Sequence, residues 1–404
     1  MKTRRQRGTR GGGSKSPPKS ASKPASSKSA SSKPASSKTH YSKLYATKKK
    51  IKTVPFAVSN NSYVPKTLCS ELLAEHAIGK GILGFLGTKA VRELRAVCKE
   101  VKQAVEDTGF HNIGQHIPGS LEAWRASFPH ARAANISDRY DLHDEDFVHL
   151  RGVKYINMSN CVGITDEALK HLEGVIELNI TGCHTITDAA FKNLGDVRVL
   201  NMTNCNQRAI TDAAFKNLGS LKTLYMSACD QTTIGDAAFE PLKQLHTLFM
   251  SGCSQATFTD NAFEPLKGLR DLSISNCFQF TDNAFKHLRG IEKLAIANCA
   301  QLTDYALAPL KGRLHTLRML RCRGLTDGAF KYLEGIQSLN MSHCTQESIT
   351  DEAFTHLKGI KILVMAGCNQ PTITGATFPV MKGIESLDTR GCNEEVVAAA
   401  AALL

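Results

Sequence analysis

Leu221-Lys-Thr-Leu-Tyr-Met-Ser-Ala-Cys229, followed by Ile234-Gly-Asp-Ala-Ala-Phe239 and Leu242, is one clear copy of a phrase written eleven times between residues 153 and 392. A cysteine marks each copy, from Cys161 to Cys392, at steps of 22, 22, 24, 24, 24, 22, 23, 22, 24 and 24 residues. A period in the twenties predicts a stacked array, in which each copy buries its apolar side on its neighbours. The step lengths say where the chain tolerates change. Two residues separate Cys183 from Ile186, four separate Cys205 from Ile210, and the 23-residue copy carries an extra Arg313. Insertions therefore fall in loops, while the packed phrases keep their length.

Within a copy, the Leu224-Tyr-Met226 alternation predicts a short strand with one buried face. The Thr-Asp pair then predicts a short helix start, its side-chain oxygens capping free N–H groups. Ala190, Phe191 and Leu194 form the inward face of one such helix, with Gly195 expected at its end. Cysteines spaced a full repeat apart do not form a metal site, which needs ligands close together, and the expected role is a buried structural thiol.

The phrase L-x-x-L-x-[IM]-x-x-C with Cys-x-x-Ile-Thr-Asp after it resembles the cysteine-containing leucine-rich repeats of F-box/leucine-rich-repeat proteins. That resemblance implies an α/β solenoid: a horseshoe with a parallel sheet on its concave side and short helices on its convex side. Residues 131–152 align as a degenerate first repeat, with Arg139 at the cysteine position, and residues 153–392 hold the eleven marked rungs. Asn393-Glu-Glu and the Ala-rich run to Leu404 predict a capping helix over the last rung.

Before the array, residues 65–108 predict a helical module. Val91, Leu94, Val97 and Val101 recur at three- and four-residue steps on one face. Ile82-Leu-Gly-Phe-Leu86 and Lys89-Ala-Val-Arg-Glu-Leu-Arg-Ala-Val-Cys-Lys99 resemble the second half of an F-box. This implies docking on the Skp-family adaptor of a cullin–RING ligase through Leu83, Phe85, Leu86, Val91, Leu94 and Val97. Taken by its residues alone, the module serves equally as a cap on the array. Residues 109–130 form a junction, with Trp124 expected as its buried anchor.

The net charge of +13 belongs to the N-terminal segment: residues 1–54 carry 16 of the 50 Lys and Arg and none of the 37 acidic residues. This Ser/Lys/Pro/Ala-rich stretch has little to bury and is expected to be disordered, serving nuclear import, weak nucleic-acid contact or solubility. No secretory signal is evident, and the nine-residue apolar run at the end, Val396–Leu404, is far short of a membrane span. An intracellular protein of nucleus or cytoplasm is the expectation, without cofactor, metal or membrane.

Function is expected on the concave stripe formed by the residue between the two core positions of each strand. The candidates are Asn201, Tyr225, Phe249, Ser273, Arg318 and Asn340, with the neighbouring aromatics as the hot spot for an unidentified protein partner. The sequence carries no phosphate-loop, dinucleotide or hydrolase fingerprint, so no enzyme is expected.

Overall fold

The computed structural model describes residues 99–111 and 116–404. Twelve three-residue strands, from β1 (Ala133–Asn135) to β12 (Ser386–Asp388), form one parallel sheet whose spatial order is the order of the chain. Each strand pairs with the next in fixed register, so Leu224 faces Leu248 and Leu248 faces Leu272. The solenoid expected from the phrase is the fold observed.

The central residue of each strand from β1 to β11 (Ile362–Val364) points inward with the Met or Ile two positions on, as Leu224 and Met226 do, both fully buried. Behind them the phenylalanines of the helical turns form a second buried row, including Phe191, Phe215, Phe239, Phe263 and Phe285. Aromatic contacts link rungs within this core, such as Phe263 to Phe280 with centroids 4.8 Å apart.

Three polar ladders hold the rungs in step. In each rung the cysteine Sγ donates to a carbonyl of the preceding rung, as Cys253 does to Met226 O at 3.0 Å and Cys322 to Ile296 O at 2.9 Å. All eleven of these cysteines are free thiols. Burial pushes the Cys183, Cys205 and Cys253 thiols up to about 12. The residue before the cysteine has a left-handed backbone in every rung, as Asn204 (φ 60°), Ala228 (57°) and Gly252 (77°) show. The chain thus turns off the strand at that residue, and the cysteine locks the turn to the rung beneath.

The threonine of each Thr-Asp pair caps its own turn, as Thr281 Oγ1 accepts from Asn283 N at 3.2 Å. The aspartate acts elsewhere. Asp260 accepts from Thr281 N and Oγ1 of the next rung at 2.7 and 2.5 Å. The glutamine two positions after seven of the cysteines reaches back in the same way, as Gln255 Nε2 donates to Cys229 O at 3.1 Å. Most of the helical turns are 3₁₀ segments of three to seven residues, and Gly195 has no left-handed backbone: the turn Asp188–Asn193 closes when Leu194 N donates to Phe191 O. So short a segment closes with i→i+3 bonds and leaves no α-helical end to cap.

Both ends of the array are covered. Helix Glu394–Leu403 buries Val396 and Ala400, with Asn393 Oδ1 accepting from Val396 N at 2.9 Å. At the other end, helix Leu121–Ser127 and the C-terminal part of helix Lys99–Glu106 put Trp124 and Val105 into the same core. Arg139, at the degenerate cysteine position, is buried and grips Asp141 with two 2.6 Å bonds while donating to Ile117 O at 2.8 Å. A guanidinium thereby takes over the linking task the thiol has elsewhere. The adaptor-docking candidates Leu83, Phe85, Leu86, Val91, Leu94 and Val97, and the basic residues 1–54, lie outside the described residues.

Candidate functional site on the outward sheet face

The pleat sends the first and third residues of every strand to the face opposite the core. On that face β5 (Thr223–Tyr225) and β6 (Thr247–Phe249) place Tyr225 beside Phe249. Their rings stack at 5.0 Å between centroids and 11° between planes. Both remain partly exposed, so the pair presents an apolar step on this face.

The next strands continue the surface. β7 (Asp271–Ser273), β8 (Lys293–Ala295) and β9 (Thr316–Arg318) set Ser273, Ala295 and Arg318 in the same row as the aromatics. Asp271 and Lys293 lie in the parallel row two residues earlier. Burial raises the Asp271 carboxyl above the usual carboxylate range, against the opposing pull of Lys293 and Arg318. Burial also raises the Tyr225 hydroxyl, helped by the charges of Asp271 and Glu177. The aromatic step is therefore bordered by two small residues, then by one carboxylate and two cations.

The candidates from the sequence divide into two groups. Tyr225, Phe249 and Arg318 share the open face, Arg318 three rungs beyond Phe249. Asn201 and Ser273 are buried there. Asn201 Oδ1 accepts from Thr203 N at 3.0 Å, and Asn340 Oδ1 accepts from Ser342 N and Oγ at 3.1 and 2.8 Å. These asparagines close the turn after the strand, a local task for which an Asx side chain is suited. Ser273 Oγ lies 2.8 Å from Ser251 Oγ and links two rungs. Asp271 and Lys293 were missed because only the residue between the two core positions was counted outward; the period of two places the residue before the first core leucine on the same face.

Among the described residues there is no group of three or more His, Cys, Asp or Glu placed to hold a metal, and no helix long and apolar enough to cross a membrane. Asp144 and Asp146, in the acidic entry of the first rung, are occupied by the Thr165 N–H and hydroxyl and by His143 N.

A family model described as a BspA-type leucine-rich repeat region matches residues 184–311 in six copies. No curated protein matches the sequence. Among solved structures, a Toll–Spatzle complex from Drosophila matches with a TM-score of 0.50 at 15% identity, over 69% of this chain and 43% of that one. A TLR13–ssRNA13 complex matches with a TM-score of 0.46 at 15% identity, over 74% of this chain and 60% of that one. The chain thus spans about half the length of these two matched structures. Neither the family model nor these structures point to a catalytic family. Sheet, ladders and repeat model agree: by fold, the chain is a leucine-rich-repeat solenoid.

Proposed function

We propose that this chain is a recognition subunit that holds a protein partner on its outward sheet face and brings it to a cullin–RING ubiquitin ligase. The observation that carries recognition is the stacked Tyr225–Phe249 pair beside Asp271, Lys293 and Arg318. Aromatic and arginine side chains on one rigid surface are the residue types that dominate protein-interface energetics. Lys293 sits one rung from the carboxylate and Arg318 two, at roughly 4.8 Å per strand. A partner that lays an apolar side chain on the rings and an acidic one toward Lys293 and Arg318 matches this pattern.

Delivery to the ligase rests on the F-box-like phrase of residues 82–99, docking on a Skp-family adaptor through Leu83, Phe85, Leu86, Val91, Leu94 and Val97. Burial of Val105 in the array core favours a second reading for the end of this module. In that reading it is a cap, and the chain is a binding scaffold whose basic residues 1–54 contact nucleic acid. Co-purification of the full chain with Skp-family adaptors separates the two. Capture that is lost in Leu86→Asp/Val97→Asp, with an unchanged circular dichroism spectrum, is the expected result. Failure of the well-folded full chain to bind any such adaptor would overturn the ligase assignment and leave the scaffold.

A further inference from the structure

Every strand of the sheet has a neighbour on both sides except the first and the last, and these two ends differ. Beside β1, Ile117 N donates to Asn135 O at 2.8 Å, and Phe110 O accepts from Arg132 N and Ala133 N at 2.8 and 2.9 Å. That edge is taken. Beyond β12 no described residue pairs with the strand. Helix Glu394–Leu403 covers the helical side of the last rung, where Asn393 Nδ2 donates to Gln370 O and Ile373 O at 3.2 and 2.9 Å. It leaves the strand itself open: Leu387 is partly exposed, whereas its counterparts Leu339 and Leu363 are fully buried.

Which backbone groups this edge leaves free follows from the rung before it. Met365 N and Gly367 N donate onward to Asp388 O and Arg390 O at 2.9 and 2.8 Å, and Lys361 O accepts from Glu385 N and Ser386 N at 2.9 and 3.0 Å. The matching groups one rung later are Thr389 N, Gly391 N and Glu385 O, and none has a partner among the described residues. Ser386 and Asp388 bond back to β11, so the alternation of the ladder turns both the N–H and the C=O of Leu387 to the open side. Glu385 N is spent on Lys361 O, and Thr389 O on Cys392 N at 3.1 Å. Along the chain the strand therefore offers an acceptor at 385, a donor and an acceptor at 387, and a donor at 389.

We propose that two copies of the chain pair through this edge, β12 against β12 in antiparallel sense, about a two-fold axis at Leu387. Under that rotation the order of free groups is its own complement. Leu387 N of each copy donates to Leu387 O of the other, and Thr389 N of each donates to Glu385 O of the other. An open row of such groups is a template for strand pairing. The side chains agree with this register. On the outward face Ser386 of one copy stands opposite Asp388 of the other, so no like charges meet, and on the core face the two partly exposed leucines cover each other. Head-to-tail stacking is closed off, since residues 110–117 occupy the β1 edge. So short an edge buries less than the roughly 1,200 Å² of a stable complex, and Kd on the order of 100 μM is expected. The pairing joins two twelve-stranded sheets into one, with both outward faces on the same side.

The test is sedimentation velocity of the full chain from about 1 to about 500 μM, a range that brackets the expected Kd. A concentration-dependent equilibrium of monomer and dimer is expected. Thr389→Pro abolishes it, because the donor is lost and the ring stands in the way of the second copy. The N–H it removes has no partner within its own copy, so the fold is kept, as circular dichroism would verify. Ser386, exposed at the surface, reports the register. Ser386→Asp sets a carboxylate opposite Asp388 on both sides of the axis and weakens the dimer about tenfold, and Ser386→Lys strengthens it by about the same factor. Neither change reaches the core, so these two variants decide the matter even where the proline variant fails to fold. Protein that stays monomeric at about 500 μM would overturn the proposal. So would a dimer that survives Thr389→Pro, or one indifferent to both Ser386 substitutions, since the contact would then lie elsewhere on the chain.

Discussion

Replacing Cys253 by serine tests why a thiol recurs at every turn. Its Sγ is fully buried and donates to Met226 O at 3.0 Å across the rung boundary. A hydroxyl oxygen sits closer to Cβ than sulfur does, so in the same rotamer it lies a few tenths of an ångström further from Met226 O. That is beyond the roughly 2.5–3.0 Å at which O–H···O bonds are good. The serine is thus buried with a poor bond, which costs about 1–3 kcal/mol. Alanine removes the donor, but Met226 O still accepts from Cys229 N at 3.2 Å and stays satisfied. Its cost is the lost sulfur contact and a small cavity, about 1–2 kcal/mol. Serine, the isostere with the same donor count, is therefore expected to be at least as damaging as alanine. Urea unfolding of the full chain followed by far-ultraviolet circular dichroism gives both values. A serine variant as stable as the parent would show that the thiol ladder is not selected by burial and reach.

Other consequences are smaller or more local. Because burial holds the Cys183, Cys205, Cys253 and Cys368 thiols near 12 against an ordinary 9, the folded state keeps protons that the unfolded chain releases. Their contribution is complete below pH 9 and is lost as pH climbs toward 12, so the urea midpoint should fall across that window; a midpoint flat to pH 11 would contradict it. Gly182→Ala should cost about 1–2 kcal/mol, since φ is +69° and the new Cβ would lie 2.5 Å from Asn160 Oδ1. Chemical denaturation measures this. Asp260→Ala removes both bonds to Thr281 and should cost about 1–2 kcal/mol after solvent screening. Asp260→Asn, whose Oδ1 can still accept from Thr281 N while its amide nitrogen donates to the Thr281 hydroxyl, should recover part of it in the same assay. Phe249→Ala loses a surface stack worth about 0.5–1.5 kcal/mol and should leave the array folded; a drop beyond about 3 kcal/mol would show that the pair is core.

The array was legible because its packing constraints repeat. Leu224, Met226, Phe239 and Leu242 sit at spacings that bury all four, and eleven copies make the period unmistakable. What the sequence hid lies between rungs. Asp260 resembles a cap for its own turn, yet it serves Thr281 one rung away, a relation that appears only when rungs stack in register. The Asn or Gly before many of the cysteines was a signal for a left-handed turn, obscured where Ala228, Arg321 and His343 adopt the same backbone. The recurring Cys-x-Gln was also in view, but the carbonyls it reaches belong to the preceding rung. At the site, alternation located Tyr225 and Phe249, whereas the turn-closing role of Asn201 and Asn340 depended on backbone geometry two residues on.

Recognition on the outward sheet face is most directly tested by placing a photo-crosslinking amino acid at position 318 and, separately, at Lys331 on the helix side. A partner trapped from position 318 is then expressed, and its affinity is measured for the parent, Phe249→Ala, Arg318→Ala and Lys331→Ala. The outward-face substitutions are predicted to weaken binding about 30-fold or more, the effect of losing a hot-spot side chain, with Lys331→Ala near neutral. Equal affinity across the first three, with loss confined to Lys331→Ala, would contradict it and move the binding surface to the other side of the array.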